Sequence, residues 1–456
     1  MSKEKYTAIT IGPLGHTFSL ARKAKEFWTA SAMFSYLMKI IVEQLAGKAK
    51  LLSPAKYEGQ NLPPYPDRAF FEGKIDNLAE LLKEVRFKAA NDLGIDHSYF
   101  NIMATSDEFN DTKTAILELN KRLDVLELNN KTTNGNIEEA VRLRLGAQIE
   151  CLKGQTNKDL KDIARTYTEG RDRSYSRYIC IVQADGDNMG KAVATESDKG
   201  TLDAFSEKLL KFGRTIRHEI INFGALPIYI GGDDLLFIAP VVGTEGKNIF
   251  DFLTKDVDGK YKQFMGVETS LSYGVSITYH KFPLYEAWGK ARDLLKDAKT
   301  IPSKNAISWN LQKHAGSSFN GCFSKNNTDL LDAFDELIKE SGQKDSIVSA
   351  VSHKLRSNSK ILNLFTECDE PERQDRIDAF YKNTIDDKEC KSYKDATKKV
   401  VKELCKEFHE KEKSDVTDNN EKERNDVSIM AYGMIRTAKF ICGELIRNEE
   451  KEDDND

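Results

Sequence analysis

No stretch of this chain is apolar enough to cross a bilayer. The longest plainly hydrophobic run, Leu235 to Val242, is eight residues and contains Pro240, against the roughly 20 residues a spanning helix needs. No apolar leader follows Met1-Ser-Lys-Glu-Lys5, which runs straight into a strand-like Tyr6–Ile11; the expectation is a cytoplasmic protein with no membrane partner. The seven cysteines include no CxxC pair, which argues against a zinc ribbon and against a disulfide framework. A charge excess of one sign is also missing. With 68 basic and 73 acidic residues and a net charge of −5, nothing in the whole-molecule charge points to nucleic acid, and individual basic stretches read first as solvated surface.

What is present suits a globular chain of about three domains: 456 residues, 39% hydrophobic and 31% charged, at roughly 100–200 residues per domain. Two segments follow one plan. In the first, Tyr6–Ile11 passes through Gly12-Pro13-Leu14-Gly15 into a helix with Phe27, Ser31, Phe34, Met38, Ile41 and Leu45 on one face. In the second, Tyr178–Val182 passes through Ala184-Asp-Gly-Asp-Asn-Met-Gly190 into a helix striped by Leu202, Phe205, Leu209, Phe212, Ile216, Ile220 and Phe223. Ala225–Tyr229 and Leu235–Ala239 then flank Gly231-Gly232-Asp233-Asp234, a β-hairpin signature. A helix near Asn248–Phe264, an alternating strand through Leu271, Tyr273, Val275, Ile277 and Tyr279, a helix over Leu284–Lys299 and a closing strand Ala306–Trp309 complete the unit. The fold class expected is α+β, a ferredoxin-like antiparallel sheet with helices on one face. Ser53–Pro66 reads as a loop, Lys74 to Gly170 as helical, and the chain beyond Gly316 as all-helical, with charge runs at Lys411–Arg424 and Arg447–Asp456 as a loop and a disordered tail.

The chemistry concentrates in Asp185-Gly186-Asp187 and Gly231-Gly232-Asp233-Asp234. Phosphoryl-transfer sites need carboxylates close enough to hold two Mg²⁺ or Mn²⁺ ions about 4 Å apart. In a ferredoxin-like sheet the end of the first strand lies beside the hairpin between the second and third, so Asp185 would meet Asp233 and Asp234. Gly186 leaves its carbonyl free to face metal, and Gly231 and Gly232 let a nucleotide approach the backbone. Lys299 and Lys304, with Asn305, supply point charges for a triphosphate, although Lys299 equally suits a helix C-terminus. Asp187, Asn188 and Lys191 stand where a nucleotide could be touched or a helix begun. His16, in the first glycine turn, reads as a satisfied polar residue or a nucleotide contact.

The segments Ala184–Lys191, Tyr229–Leu236 and Lys304–Trp309 resemble the palm polymerase/cyclase domain of the large subunit of type III CRISPR effector complexes, in the type III-B branch. Ile11-Gly-Pro13, Phe18, Ala21-Arg-Lys23, Trp28, Ser31, Ser35-Tyr-Leu37 and Pro66-Asp-Arg-Ala-Phe70 resemble that family's first, degenerate palm. The resemblance implies two palms with a helical insert and a helical C-terminal domain. Residues 1–75 would form the first palm, continuing in part into the next region, 76–172 a helical linker, 173–312 the catalytic palm and 313–456 the helical domain with its acidic tail. It implies a nucleotidyltransferase of antiviral defence that binds metal through Asp185, Gly186, Asp233 and Asp234. When guide RNA pairs with target RNA, such an enzyme joins AMP units from ATP into cyclic oligoadenylate, a second messenger. Its partners would be the other complex subunits and the two RNAs, with Lys-rich helices such as Ala396–Lys406 able to touch RNA phosphate.

Two departures from the family shape the expectation. No His-Asp dipeptide occurs, so no DNase activity is expected, and the missing CxxC removes the zinc insertion. Family members that attach AMP to S-adenosylmethionine offer an alternative product. A diguanylate cyclase would require Glu and Phe where Asp234 and Leu235 stand, and a non-catalytic scaffold gives no reason to keep Asp185, Asp187, Asp233, Asp234 and Lys304 together.

Overall fold

Glu4–Gly12 forms the first strand, β1, buried from Tyr6 onward. It is followed by α1 (Leu14–Leu20) and α2 (Ala24–Leu45), and every residue of the predicted α2 face is buried. Strands β2 (Lys50–Ser53) and β3 (Arg68–Glu72), helix α3 (Leu78–Leu93), strand β4 (Asn101–Phe109) and helices α4 (Thr112–Leu128) and α5 (Leu160–Ala164) complete the unit. The computed structural model describes residues 3–59, 64–128, 159–167, 173–198, 202–266, 268–385, 390–412 and 426–443. Residues 129–158 of the stretch read as helical, and nearly all of both charge runs, lie outside the described residues.

The expectation of helix throughout Lys74–Gly170 fails at β4, which pairs with all of β1 from Gly12↔Asn101 to Glu4↔Phe109. Ile102 is its one buried residue. An edge strand held mainly through its backbone carries little period-two apolar signal, so Asn101–Phe109 was not legible as a strand.

The second unit contains β5 (Tyr178–Asp187), α6 (Met189–Asp198), α7 (Leu202–Asn222), β6 (Leu226–Gly231) and β7 (Asp234–Pro240). Then come α8 (Ile249–Asp251), a π-helical turn (Phe252–Val257), α9 (Asp258–Met265), β8 (Ser270–Tyr279), α10 (Leu284–Thr300), β9 (Ala306–Gln312) and β10 (Ser318–Ser324). The two sheets run β2-β3-β1-β4 and β10-β9-β8-β5-β7-β6. Ranked within each unit, both therefore share the ferredoxin-like order fourth-first-third-second. The repeated strand–turn–helix of the sequence is thus a repeat of topology.

Two corrections concern the second sheet. It continues past residue 312: β10, in the region read as all-helical, pairs with β9 from Ser324↔Ala306 to Ser318↔Gln312. Helices also cover both faces. Phe212 and Ile216 of α7 meet Cys180, Val182 and Phe237 on one face. On the other, Ile179, Ile181 and Leu236 meet Trp288 of α10 and Phe27 and Met38 of α2. The extra β8–α10–β9 crossover, whose strands are parallel, places α10 opposite α7.

That second face joins the two units. Trp288 lies edge-on to Phe18 at 5.8 Å and to Phe27 at 5.9 Å between ring centres. Beyond β10 follow α11 (Thr328–Glu340), α12 (Asp345–Ser357), α13 (Ser359–Leu364), α14 (Glu372–Thr384), α15 (Lys391–Glu412) and α16 (Val427–Cys442). Their core is continuous with the second sheet, through Phe334 stacked on Trp309 at 5.5 Å. Three lysines of α15 turn to neighbouring carboxylates: Lys398 to Asp378, Lys399 to Glu336 and Lys406 to Asp329.

Candidate active site at the hairpin between β6 and β7

Across the hairpin Gly231 pairs with Asp234, which leaves Gly232 and Asp233 as the turn. Gly232 has φ +73, a conformation costly for any residue with a Cβ. β5 pairs with β7 as far as Ala184↔Leu235, so the next residues, Asp185 and Asp234, are neighbours. Gly186 permits the final approach: a Cβ there would lie 2.5 Å from Asp233 Oδ2. Asp185, Asp233 and Asp234 therefore converge as the sequence reading required.

Three carboxylates this close repel one another. Burial, then Asp185, pushes the Asp233 carboxyl up to about 6, against the Lys299 ammonium and the Gly186 backbone N–H, which lower it. Asp234 is driven well above the ordinary carboxylate range by burial, then by Asp233, Asp185 and Asp67. The cluster is short of positive charge. Lys299, in the last turn of α10, supplies part of it: Nζ lies 2.5 Å from Asp185 Oδ2 and donates to the Gly186 carbonyl at 3.2 Å. An ammonium thus sits on two of the oxygens expected to face metal. Among the described residues no three acidic, His or Cys side chains already stand in ligating geometry. The donor set nevertheless fits a hard cation, since it is all oxygen and it has already collected a positive group.

Other predicted residues have different places. Asp187 is fully buried and does not face a nucleotide. Its carboxylate accepts from Ser270 Oγ at 2.7 Å, Ser272 Oγ at 2.9 Å and the Asn305 backbone N–H at 2.9 Å. It is a strut between β5, β8 and the loop before β9. Asp187→Asn puts an amide N–H among those donors and should cost about 2–4 kcal/mol. Urea denaturation checks this, and a change below about 0.5 kcal/mol would contradict the strut.

Gly231 also serves a neighbour, because the Tyr229 ring occupies the space its Cβ would need. Asn188 has φ +60 and its carbonyl accepts from the N–H groups of Lys191 and Ala192, the helix-start role. His16 is exposed within α1, not in the preceding turn. Lys304 stands at φ +50, beside Asn305 at φ +44, and makes no ion pair among the described residues.

Sequence reasoning missed a layer around this centre. Tyr229 of β6 takes a hydrogen bond from the Asp67 backbone, with its phenol raised by burial and then by Asp67, Asp234 and Asp233. The first unit therefore reaches the hairpin through Asp67. Behind Asp187 lies a buried trio: Asp258 accepts from Tyr273 at 2.7 Å and from Lys325 at 2.6 Å. Lys325 also lies 4.3 Å from the Tyr273 ring centre. Asp67 belongs to a segment singled out for its resemblance; nothing distinguishes the buried Lys325 from a surface lysine in sequence.

Two palm-type sheets joined face to face, with a carboxylate hairpin on one of them, define a two-palm architecture. Residues 178–308 match the family model of the Cas10/Cmr2 second palm domain, and residues 6–165 that of the N-terminal part of CRISPR-associated protein Cmr2. The chain belongs to the Cas10/Cmr2 family, in its type III-B branch. It is 30% identical over 171 residues to the CRISPR system Cmr subunit Cmr2 of Pyrococcus furiosus, covering 31% of this chain and 19% of that protein; it thus spans about a fifth of that relative. Similar solved folds include a Csm1–Csm4 cassette in complex with cA4, with a TM-score of 0.58, 12% identity and coverage of 96% of this chain and 70% of that one. A type III-B Cmr-beta complex in its apo state matches with a TM-score of 0.55 and 11% identity over 84% of this chain and 77% of that one.

Proposed function

We propose that this chain is the nucleotidyltransferase subunit of a type III-B CRISPR antiviral complex, activated when guide RNA pairs with target RNA and converting ATP into cyclic oligoadenylate with release of pyrophosphate. The observation that carries this reading is the convergence of Asp185, Asp233 and Asp234 with the Lys299 ammonium already seated on Asp185 and the Gly186 carbonyl. Support also comes from similar folds described in complex with cA4 and with AMPPNP.

Asp185, Asp233, Asp234 and the Gly186 carbonyl would hold two Mg²⁺ or Mn²⁺ ions, whose chemistry is to activate an acceptor hydroxyl and neutralise triphosphate charge. The chain does the rest by placement. The acceptor hydroxyl releases its proton to solvent and its oxygen bonds to the α-phosphorus as the bond to pyrophosphate breaks, and Lys299, moving off Asp185, follows the negative charge onto the leaving group. Lys304 adds a second cation for the phosphates. The first palm supports the hairpin through Asp67 and Tyr229.

The test is reconstitution with guide RNA and partner subunits, then target RNA, labelled ATP and Mn²⁺ or Mg²⁺, with and without S-adenosylmethionine, and identification of products by mass. A product made only with target RNA supports the reading, and its mass distinguishes AMP joined to AMP from AMP joined to another acceptor. No nucleotide product under any condition would overturn it and leave a scaffold subunit.

A further inference from the structure

The loop between α10 and β9 contains two consecutive non-glycine residues in the left-handed region, Lys304 and Asn305. L residues hold that conformation only when their surroundings enforce it. One support is the catalytic strand, where Asp187 accepts from the Asn305 N–H at 2.9 Å. The other is the turn from β10 into α11. Lys325 N–H donates to the Asn305 carbonyl at 2.7 Å, Asn305 Nδ2 donates to Asn326 Oδ1 at 2.7 Å, and the Ser303 and Ser324 hydroxyls share a hydrogen bond of 3.1 Å.

From within the palm that turn is anchored by the Lys325–Asp258 pair, and from the helical domain it is held by one buried carboxylate. Glu407 of α15 is 6% exposed. Its Oε2 accepts from Asn327 Nδ2 at 3.2 Å and its Oε1 from the Ser324 N–H at 3.5 Å. A cavity of ≈410 Å³ opens among Ser303, Asn326, Asn327, Lys406 and Glu407. On this outer side polar bonds hold the turn, and Asn326 and Asn327, which are not buried, have room to shift when the bonds to Glu407 are lost.

We propose that Glu407 is a positioning residue: through Asn327 and Ser324 it holds the turn that holds Asn305, and so sets where Lys304 stands for the nucleotide triphosphate. The helical domain thereby reaches the phosphate end of the site. This rests on Lys304 as a phosphate-binding residue in the reading above, and the variants separate the two.

In the reconstituted, target-activated complex, Lys304→Ala is expected to raise the KM for ATP about tenfold. Glu407→Ala should raise it about fivefold with kcat within about twofold, since the lysine is misplaced rather than removed. The Lys304→Ala/Glu407→Ala pair should be no worse than Lys304→Ala alone, because both act through one group. Asn326→Ala, which removes only the bond to Asn305, repeats the test with the Glu407 carboxylate in place and serves if Glu407→Ala does not fold. A Glu407→Ala protein that loses thermal stability but keeps the wild-type KM overturns the inference and leaves Glu407 a structural residue. Additive effects in the double variant overturn it as well. If Lys304→Ala leaves the KM unchanged, the phosphate role of Lys304 fails first and takes this inference with it.

Discussion

Changing Asp233 and Asp234 together to asparagine is expected to lower nucleotide product formation by about 10³-fold or more, yet to raise the melting temperature of the metal-free protein at pH 7.5. The two effects have one cause. The hairpin assembles carboxylates whose charge has too little compensation within the chain, with Asp233 held up to about 6 and Asp234 also raised well above the ordinary carboxylate range. An acid whose folded pKa exceeds its unfolded value of about 3.9 makes the protein most stable below that value. Stability is lost as pH rises through the window from about 4 to about 6 and stays lost above it. Asparagine removes that penalty with little change of shape. The gain should therefore be present at pH 7.5 and largely gone at pH 4.5, where the wild-type Asp233 is itself protonated. Added Mn²⁺ should reverse the ranking at pH 7.5 by stabilising the wild type and leaving the variant unmoved. Thermal melts at the two pH values with and without Mn²⁺ check the stability half, and ATP turnover by the complex checks the other. A variant that melts lower than wild type in metal-free buffer at pH 7.5 would contradict the account of the site.

Most of the candidate centre was legible because it is local in sequence and its glycines and carboxylates have few alternative uses. Asp185-Gly186 and Gly232-Asp233-Asp234 each belong to one strand end or one turn, and the strand order that brings them together follows from counting elements. Asp187 was not legible as a strut. Its role depends on Ser270 and Ser272, about eighty residues away and two positions apart on β8, whose hydroxyls look like any strand serine. The neighbour of Gly231 was hidden for a related reason: the side chain it admits is that of Tyr229, two residues earlier on the same strand. β4 escaped notice because it is held mainly by backbone hydrogen bonds, which leave no mark on side-chain periodicity, whereas β10 does alternate, with Phe319 and Phe323 buried, but over only seven residues at the start of a polar, lysine-rich region. Both are the outermost strands of their sheets.

Gly274→Ala and Gly289→Ala, two identical substitutions on opposite sides of one helix–strand contact, are expected to move stability in opposite directions. On β8, a Cβ at Gly274 would overlap the Ala291 carbonyl and the Leu295 backbone nitrogen of α10. Backbone cannot turn aside as a side chain can. α10 would have to lift from the sheet, at about 3 kcal/mol or a fall in melting temperature of roughly 6–12 °C. Gly289, within α10 itself, has nothing within 4 Å of its Cβ position, and alanine there should add about 0.5–1 kcal/mol by its better helix propensity. The functional consequences diverge too. α10 carries Trp288 to Phe18 and Phe27 of the first palm and Lys299 to Asp185, so lifting it separates the palms and withdraws the cation from the carboxylates together. Gly274→Ala should therefore lower product formation even below its melting transition, whereas Gly289→Ala should leave it unchanged. Equal melting temperatures for the two variants would mean that α10 is free to shift on β8, and the link it makes between the palm seam and the carboxylate centre would be lost.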